Sequence, residues 1–281
     1  MPLADLRPLD TRALFRPVSA ELVSLLRSLT PADWDRQTIA GDWVVRDVVG
    51  HLADGALRRL SFHRDAITPP PPDNPIKTAR DFVGFINRLN AQGVTASKRF
   101  SPRVLTELFE RASTDLATFF ETLPLEAPAR FGVSWAGEEV SEGWFDIGRE
   151  FTELWHHQQQ IRLAVGAPSL SDPRYLGAVI DIATRALPHA FRDVSASPGE
   201  TLLVDVSGSA GGQWTLVREP QRWMIYGGTP EVTTARIQLL DDALWKLLFN
   251  AFTDDEAAEA IHVDGRRELA TPLLRARSVI V

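Results

Sequence analysis

The 281-residue chain contains no cysteine. Disulfides, thiolate metal ligands and a cysteine nucleophile are therefore all excluded. No window approaches the ~18 consecutive apolar residues of a membrane-spanning helix. The first stretch, "MPLADLRPLDTRALF", carries acidic residues early and has no apolar signal core, so a cytoplasmic protein is expected. Positive charge is scarce: 30 Lys and Arg stand against 37 Asp and Glu, a net charge of -7. Phosphate binding needs a basic patch or stripe, so no nucleic-acid partner is expected, and no membrane partner either. There is no internal repeat, and no low-complexity tract beyond the prolines of "TPPPPDNP". What the chain has is core material: 44% hydrophobic and 24% charged residues, the balance of an ordinary soluble protein.

Helical spacing dominates the first two thirds. Leu14, Val18, Leu22, Leu25, Leu26 and Leu29 recur at helical intervals. Thr30 followed by proline signals a short turn. Asp42 is a candidate cap for a second helix, whose stripe is Val45, Val48, Val49, Leu52, Ala56, Leu57 and Leu60. The proline run ends it, because proline lacks the amide donor and clashes with the preceding turn. Helices are predicted at about 78–98, 102–123 and 143–165, the last closed by Gly166 and Pro168. Another, at about 173–192, is interrupted by Pro188. Residues 124–143 read as a long loop or short hairpin. After "SASPGE" the texture changes. "TLLVDVSG", "GGQWTLVRE" and "RWMIYGG" read as strands, and "TTARIQLL" as a strand leading into helix. The tail reads as a turn, a helical piece and an apolar end. The expected architecture is α+β in two domains: a helix bundle over 1–195 and a small α+β domain over 196–281.

The polar side chains that interrupt these stripes are the candidates for chemistry. Within "EFTELWHHQQQIRLAVG", Glu153 and His157 are four residues apart and share one helix face. Alone, such a pair is ordinarily a helix-stabilising contact. His51 lies inside the apolar stripe of the second helix, where a lone histidine is ordinarily a satisfied core residue. If both faces point into one bundle, two imidazoles and a carboxylate converge. That is a catalytic zinc set with one open position, and bundle cores commonly host such sites. The spacing does not show that the helices face each other, and the stronger H-E-x-x-H arrangement is absent. His156 points about 100° away from His157 on the helix and reads as a neighbour of the site or a surface residue. His63, His189 and His262 have no comparable partners. Packing explains most of the eight tryptophans; Trp155 is also a candidate pocket wall.

"TPADWDRQTIAGDWVVRDVVGHLAD" resembles the W-x-V-R-D-V-x-x-H-L segment of the DinB-like superfamily. More closely, it is similar to the mycothiol-dependent maleylpyruvate isomerase family. "REFTELWHHQQQIRLAVG" resembles that family's second metal motif, E-x-x-x-H, which falls on Glu153 and His157. The region from about Gly199 resembles the SCP2-like domain appended to that isomerase, most clearly in "VDGRRELATPLLRARSVIV". The resemblance implies a four-helix up-down-down-up bundle and a divalent metal, usually zinc, with nickel as the alternative. The ligands would be His51, Glu153 and His157. It also implies a low-molecular-weight thiol such as mycothiol as cosubstrate and a small electrophile as substrate. Where the family carries an acidic residue three positions after the second histidine, this chain has Gln160, which together with Trp155 and His156 is a candidate for contact with the substrate or the ligands. The family also uses an arginine from its C-terminal domain, for which Arg218, Arg222 and Arg236 are candidates. No residue is assigned a catalytic role.

Metal coordination would deprotonate a thiol whose pKa is otherwise near 8.5. A chain without cysteine must borrow that thiol from outside. The reading is a metal- and thiol-dependent transferase or isomerase, as a monomer or homodimer. The alternatives are a binding protein for an apolar or small-molecule ligand with a non-catalytic metal, and a metal-dependent hydrolase using bound water.

Overall fold

The structure, a computed structural model, describes residues 3–279. It is mixed α+β, with a helical N-terminal region and a C-terminal sheet. Two compact units form, and neither is one continuous stretch. The first comprises Thr11–Leu125 and Glu153–Leu170; the second comprises residues 3–10, Glu126–Thr152 and 171–279. The change of periodicity near residue 195 marks where the long strands begin. It does not mark where the units divide, because the unit that holds the sheet also recruits earlier chain.

In the first unit, α1 (Phe15–Ser28) buries Phe15, Val18, Leu22, Val23 and Leu26 along one stripe. α2 (Val45–Arg59) runs on into a π-helical turn, Leu60–Arg64. Asp42 is not its cap. It lies in the exposed turn before the helix, and the Val44 amide instead donates to Asp47 Oδ2 at 3.3 Å. α3 (Ala79–Ser97) opens with a reciprocal box: Thr78 N–H donates to Asp81 Oδ2 at 2.9 Å, and Asp81 N–H donates to Thr78 Oγ1 at 3.2 Å. α4 (Pro102–Glu121) has Ser101 as cap and proline in its first turn. α4 packs on α1 and α2, and α2 packs on α3. Phe15 and Phe120 meet edge to face at 4.9 Å in that core. The Glu153–Leu170 part of this unit carries the C-terminal turns of α5 (Gly143–Val165), closed by Gly166 at φ +69°.

In the second unit, the chain from Glu126 folds back with Pro128 and Glu142 in an isolated antiparallel bridge. α6 (Pro173–Thr184) and the short α7 (Leu187–Ala190) break near Pro188, as the sequence predicts. The sheet comprises β1 (Ala4–Asp5), β2 (Thr201–Ser207), β3 (Gly212–Arg218), β4 (Trp223–Gly227), β5 (Ala235–Leu240) and β6 (His262–Gly265). Its spatial order is β1-β4-β3-β2-β5-β6, with β2 and β5 parallel and the other pairs antiparallel. Leu202, Val204 and Val206 alternate onto one face, in register with Leu216, Ile237 and Leu239, and all six are buried. α8 (Asp241–Leu248), α9 (Asp254–Glu259) and α10 (Arg267–Ala270) complete this unit. Two strands escape the sequence reading. β1 is only two residues long, and β6 reads "HVDG", too short and polar for an alternating signal. Ile280 and Val281, the end of the apolar tail, lie outside the described residues.

The closest approach that concerns α2 is at Gly50. A Cβ there would lie 2.1 Å from Ser97 Oγ and 2.8 Å from Ser97 Cβ on α3. Gly93 on α3 meets Asp54 on α2 in the same way, at 2.2 Å from Asp54 Oδ2. Gly50→Ala is therefore expected to destabilise the protein by about 1–3 kcal/mol through overpacking, despite alanine's better helix propensity. Urea unfolding measures this, and adding Ser97→Gly should restore most of the loss.

Candidate metal centre

α2 presents His51 and α5 presents Glu153 and His157, all within the first unit. His51 and His157 are buried, with 5% and 6% of their surface exposed. Glu153 keeps 35% of its side-chain surface exposed, so the cluster has an open side. Glu153 Oε1 is the shared point. It lies 2.9 Å from His51 Nε2 and 3.1 Å from His157 Nε2. The three candidate ligand atoms all lie within 4.8 Å of one another.

Gln160 stands one turn beyond His157 and faces its other nitrogen: Gln160 Oε1 lies 2.7 Å from His157 Nδ1. With the amide oxygen so placed, Nδ1 carries a proton and donates it. In the neutral ring, Nε2 is then a bare lone pair directed at the lone pairs of Glu153 Oε1. Only a shared proton or a cation makes that arrangement favourable. This is the geometry in which a partner on one ring nitrogen sets the tautomer that ligates through the other. The residues present therefore fit a divalent cation: two imidazole nitrogens and one carboxylate oxygen from the chain, with at least one position free.

The ionisation of the cluster agrees. Burial pushes His51 below its ordinary value. Its bond to Glu153 works against that and does not overcome it. Burial pushes Glu153 up, but the charge of His157 and the hydrogen bonds with His157 and His51 outweigh it, so the carboxyl is held well below its usual range. At neutral pH the set is a neutral His51 beside an ionised Glu153.

His156 is buried at 2% exposure, not at the surface; its Nδ1 lies 4.0 Å from Glu153 Oε2 and its ring 4.0 Å from that of His157. Trp155 is fully buried and its Nε1–H donates to the Leu170 carbonyl at 3.1 Å, anchoring the chain beyond α5. Trp43 is in ring contact with two of the histidines, 5.0 Å from His51 and 6.3 Å from His157 between ring centroids. The sequence reading assigned it to packing. It sits in a loop, where no periodicity declares a face. The available signal was direction: side chains on α2 lean toward the helix N-terminus, and Trp43 lies just before that end. Arg218, Arg222 and Arg236 belong to the second unit; Arg236 is paired with Asp205 on the sheet, and Arg218 Nη1 donates to the Glu219 carbonyl. His63 lies 3.3 Å from Arg59 Nη1, and His262 pairs with Asp264 at 3.2 Å.

The shifts set the acid response of the metal-free protein. The unfolded chain takes up a proton on His51 near pH 6.5, and the folded chain only at lower pH. The unfolded state therefore binds more protons below that value, and stability falls as pH drops through it. Glu153 adds loss in the same direction below its ordinary value of 4.5, where the unfolded chain protonates and the folded cluster resists. Urea unfolding of wild type should show this decline on the acid side of neutrality, and His51→Gln should flatten its upper part.

No helix among the described residues is long and apolar enough to cross a membrane. No curated protein matches the chain. Among solved structures, the fold is similar to the mycothiol-dependent maleylpyruvate isomerase, at 12% identity and TM-score 0.51 over 90% of this chain and 91% of that one. A histidine-to-alanine mutant of that isomerase is similar over the same shares, at 12% identity and TM-score 0.53. At that identity the likeness shows the fold alone. Residues 15–162 match the family described as the mycothiol maleylpyruvate isomerase N-terminal domain. That span covers more than half of the 281 residues and contains His51, Glu153 and His157. The chain belongs to the mycothiol maleylpyruvate isomerase N-terminal domain family.

Proposed function

We propose that this protein is a metal-dependent isomerase or transferase that uses a low-molecular-weight thiol, with mycothiol as the first candidate, on a small electrophile. His51, Glu153 and His157 hold one divalent cation, with zinc the first choice and nickel the second. The observation that carries this reading is the convergence of two imidazole Nε2 atoms on Glu153 Oε1, at 2.9 and 3.1 Å. Family membership supports it, as do solved neighbours that are forms of a mycothiol-dependent maleylpyruvate isomerase.

When bound, the cation supplies Lewis acidity that favours the thiolate of a coordinated thiol at neutral pH. The chain's own residues do the rest. Glu153 stays ionised and offsets part of the positive charge. Gln160 Oε1 accepts a hydrogen bond from His157 Nδ1–H and keeps its Nε2 turned toward the site. The buried rings of His51 and His157 exclude water from one side, and the partly exposed Glu153 leaves the other side open to ligands. The chain has no cysteine to compete for the cation or for the electrophile. Addition of an external thiol to an activated double bond leaves a single bond free to rotate, and expulsion of the same thiol restores the double bond. The thiol is thus consumed and returned, as an isomerase requires. Reduced thiols belong to a reducing compartment, which favours the cytoplasm.

Two measurements test the reading. Zinc-loaded wild type should hold about one equivalent of metal, the capacity of a single three-ligand site; His51→Ala and His157→Ala should lose it. Full stoichiometry in both variants removes the assignment. In cobalt-substituted protein, mycothiol, bacillithiol or glutathione should produce thiolate-to-metal absorption, and the thiol that does so should support turnover of maleylpyruvate or a simple electrophile. Metal-loaded protein that binds none of them and turns over nothing is a binding protein or a hydrolase instead.

A further inference from the structure

The two histidines of the cluster are oriented by different means. His157 has a side-chain oxygen facing each nitrogen: Gln160 Oε1 at Nδ1 and Glu153 Oε1 at Nε2. His51 has Glu153 on Nε2, but its buried Nδ1 has no hydrogen-bond partner among the described residues. A ring tethered at one nitrogen can still turn about its side-chain bonds. Something else has to fix its plane. Among the described residues, two rings touch it: His157, edge-on at 4.7 Å and 72°, and Trp43, tilted at 5.0 Å and 43°.

Trp43 is itself held more firmly than entry to a helix requires. Its carbonyl accepts three hydrogen bonds: from Thr38 N–H at 3.1 Å, Thr38 Oγ1 at 2.6 Å and Gln37 Nε2 at 3.1 Å. Its amide donates to the Ala40 carbonyl at 3.1 Å, closing a turn in which Gly41 takes the left-handed conformation at φ +58°. Gln37 and Val44 form an antiparallel bridge across the same hairpin, and Gln37 Nε2 also donates to the Gly41 carbonyl at 2.8 Å. The hairpin of residues 37–44 is a rigid mount, and what it presents to the cluster is an indole ring.

We infer that Trp43 is the positioning residue for His51: the hairpin-mounted indole packs on the imidazole and holds its Nε2 turned to Glu153, in the role that Gln160 plays for His157. The two devices differ in kind. A hydrogen bond fixes a tautomer as well as an orientation, whereas ring packing fixes orientation alone. His51 is then the ligand whose placement depends on the loop rather than on its own helix. The consequence for metal binding rests on the function proposed above; the packing itself does not.

Zinc affinity, measured by chelator competition, reads the consequence. Trp43→Ala should weaken it by about 10–100-fold, the usual effect of removing a group that orients a ligand. Trp43→Phe, which keeps a ring on the same mount, should recover most of the loss. Trp43→Ala with wild-type affinity overturns the inference. If Trp43→Ala fails to fold, Trp43→Leu replaces it, and equal affinity in the Leu and Phe variants overturns the role of the ring. Zinc-free protein gives a second readout by NMR. Cross-relaxation between the Trp43 indole protons and His51 Hδ2 or Hε1 should be present in wild type, with one set of His51 ring signals. Those signals should shift and multiply in the alanine or leucine variant. If wild type binds no zinc, the metal reading fails, and the NMR result alone decides the packing inference: His51 signals indifferent to the residue at 43 overturn it.

Discussion

One carboxylate oxygen organises the helical unit around a purpose. Glu153 Oε1 sits within hydrogen-bond distance of two imidazole nitrogens, one presented by α2 and the other by α5. Both histidines are buried, and a buried polar group without a partner is costly. Glu153 meets part of that need for each, and each in turn holds the carboxylate ionised. Removing any member leaves the other two with unmet electrostatic demands in a poorly hydrated place. The same arrangement makes the set fit a cation, because three candidate ligand atoms share one focus.

The scaffold is built to bring α2 and α5 to that focus. Gly50 precedes His51 directly and lets α2 lie against Ser97 of α3 with no room for a methyl group. Gly93 does the same opposite Asp54. Ahead of α2, the hairpin of residues 37–44 fixes Trp43 against the His51 ring. Beyond His157, the helix itself supplies Gln160 at the spacing that reaches Nδ1. Gln159 and Trp155 then bind the segment after α5, through Ser169 Oγ, the Leu170 amide and the Leu170 carbonyl. The three glutamines that look too polar for a core helix are thus all buried, with Gln159 and Gln160 in hydrogen bonds to this framework.

Gln160 gives His157 a neutral partner. An acidic residue at that position would also accept the Nδ1 proton, and would add a negative charge beside His157. A neutral amide orients the ring without that charge. Among the described residues, the one carboxylate in hydrogen-bond reach of the His51 and His157 rings is Glu153.

Much of this was legible in the sequence, for reasons of local geometry. The four-residue spacing of Glu153 and His157 sets them on one helix face whatever the rest of the chain does, and the i to i+3 spacing does the same for His157 and Gln160. Apolar periodicity located α1 to α6 and the strands β2 to β5, because burial of one face is imposed residue by residue along each element. Tertiary structure alone decided the rest. That His51 meets Glu153 depends on how two helices distant in sequence pack. That Trp43 adjoins His51 and His157 depends on a hairpin with no periodicity. The division into two discontinuous units, with Ala4–Asp5 added at the sheet edge, depends on pairings between segments more than 200 residues apart. Spacing along one helix is fixed by the backbone itself, whereas convergence of separate elements is set only by the packing of the whole core.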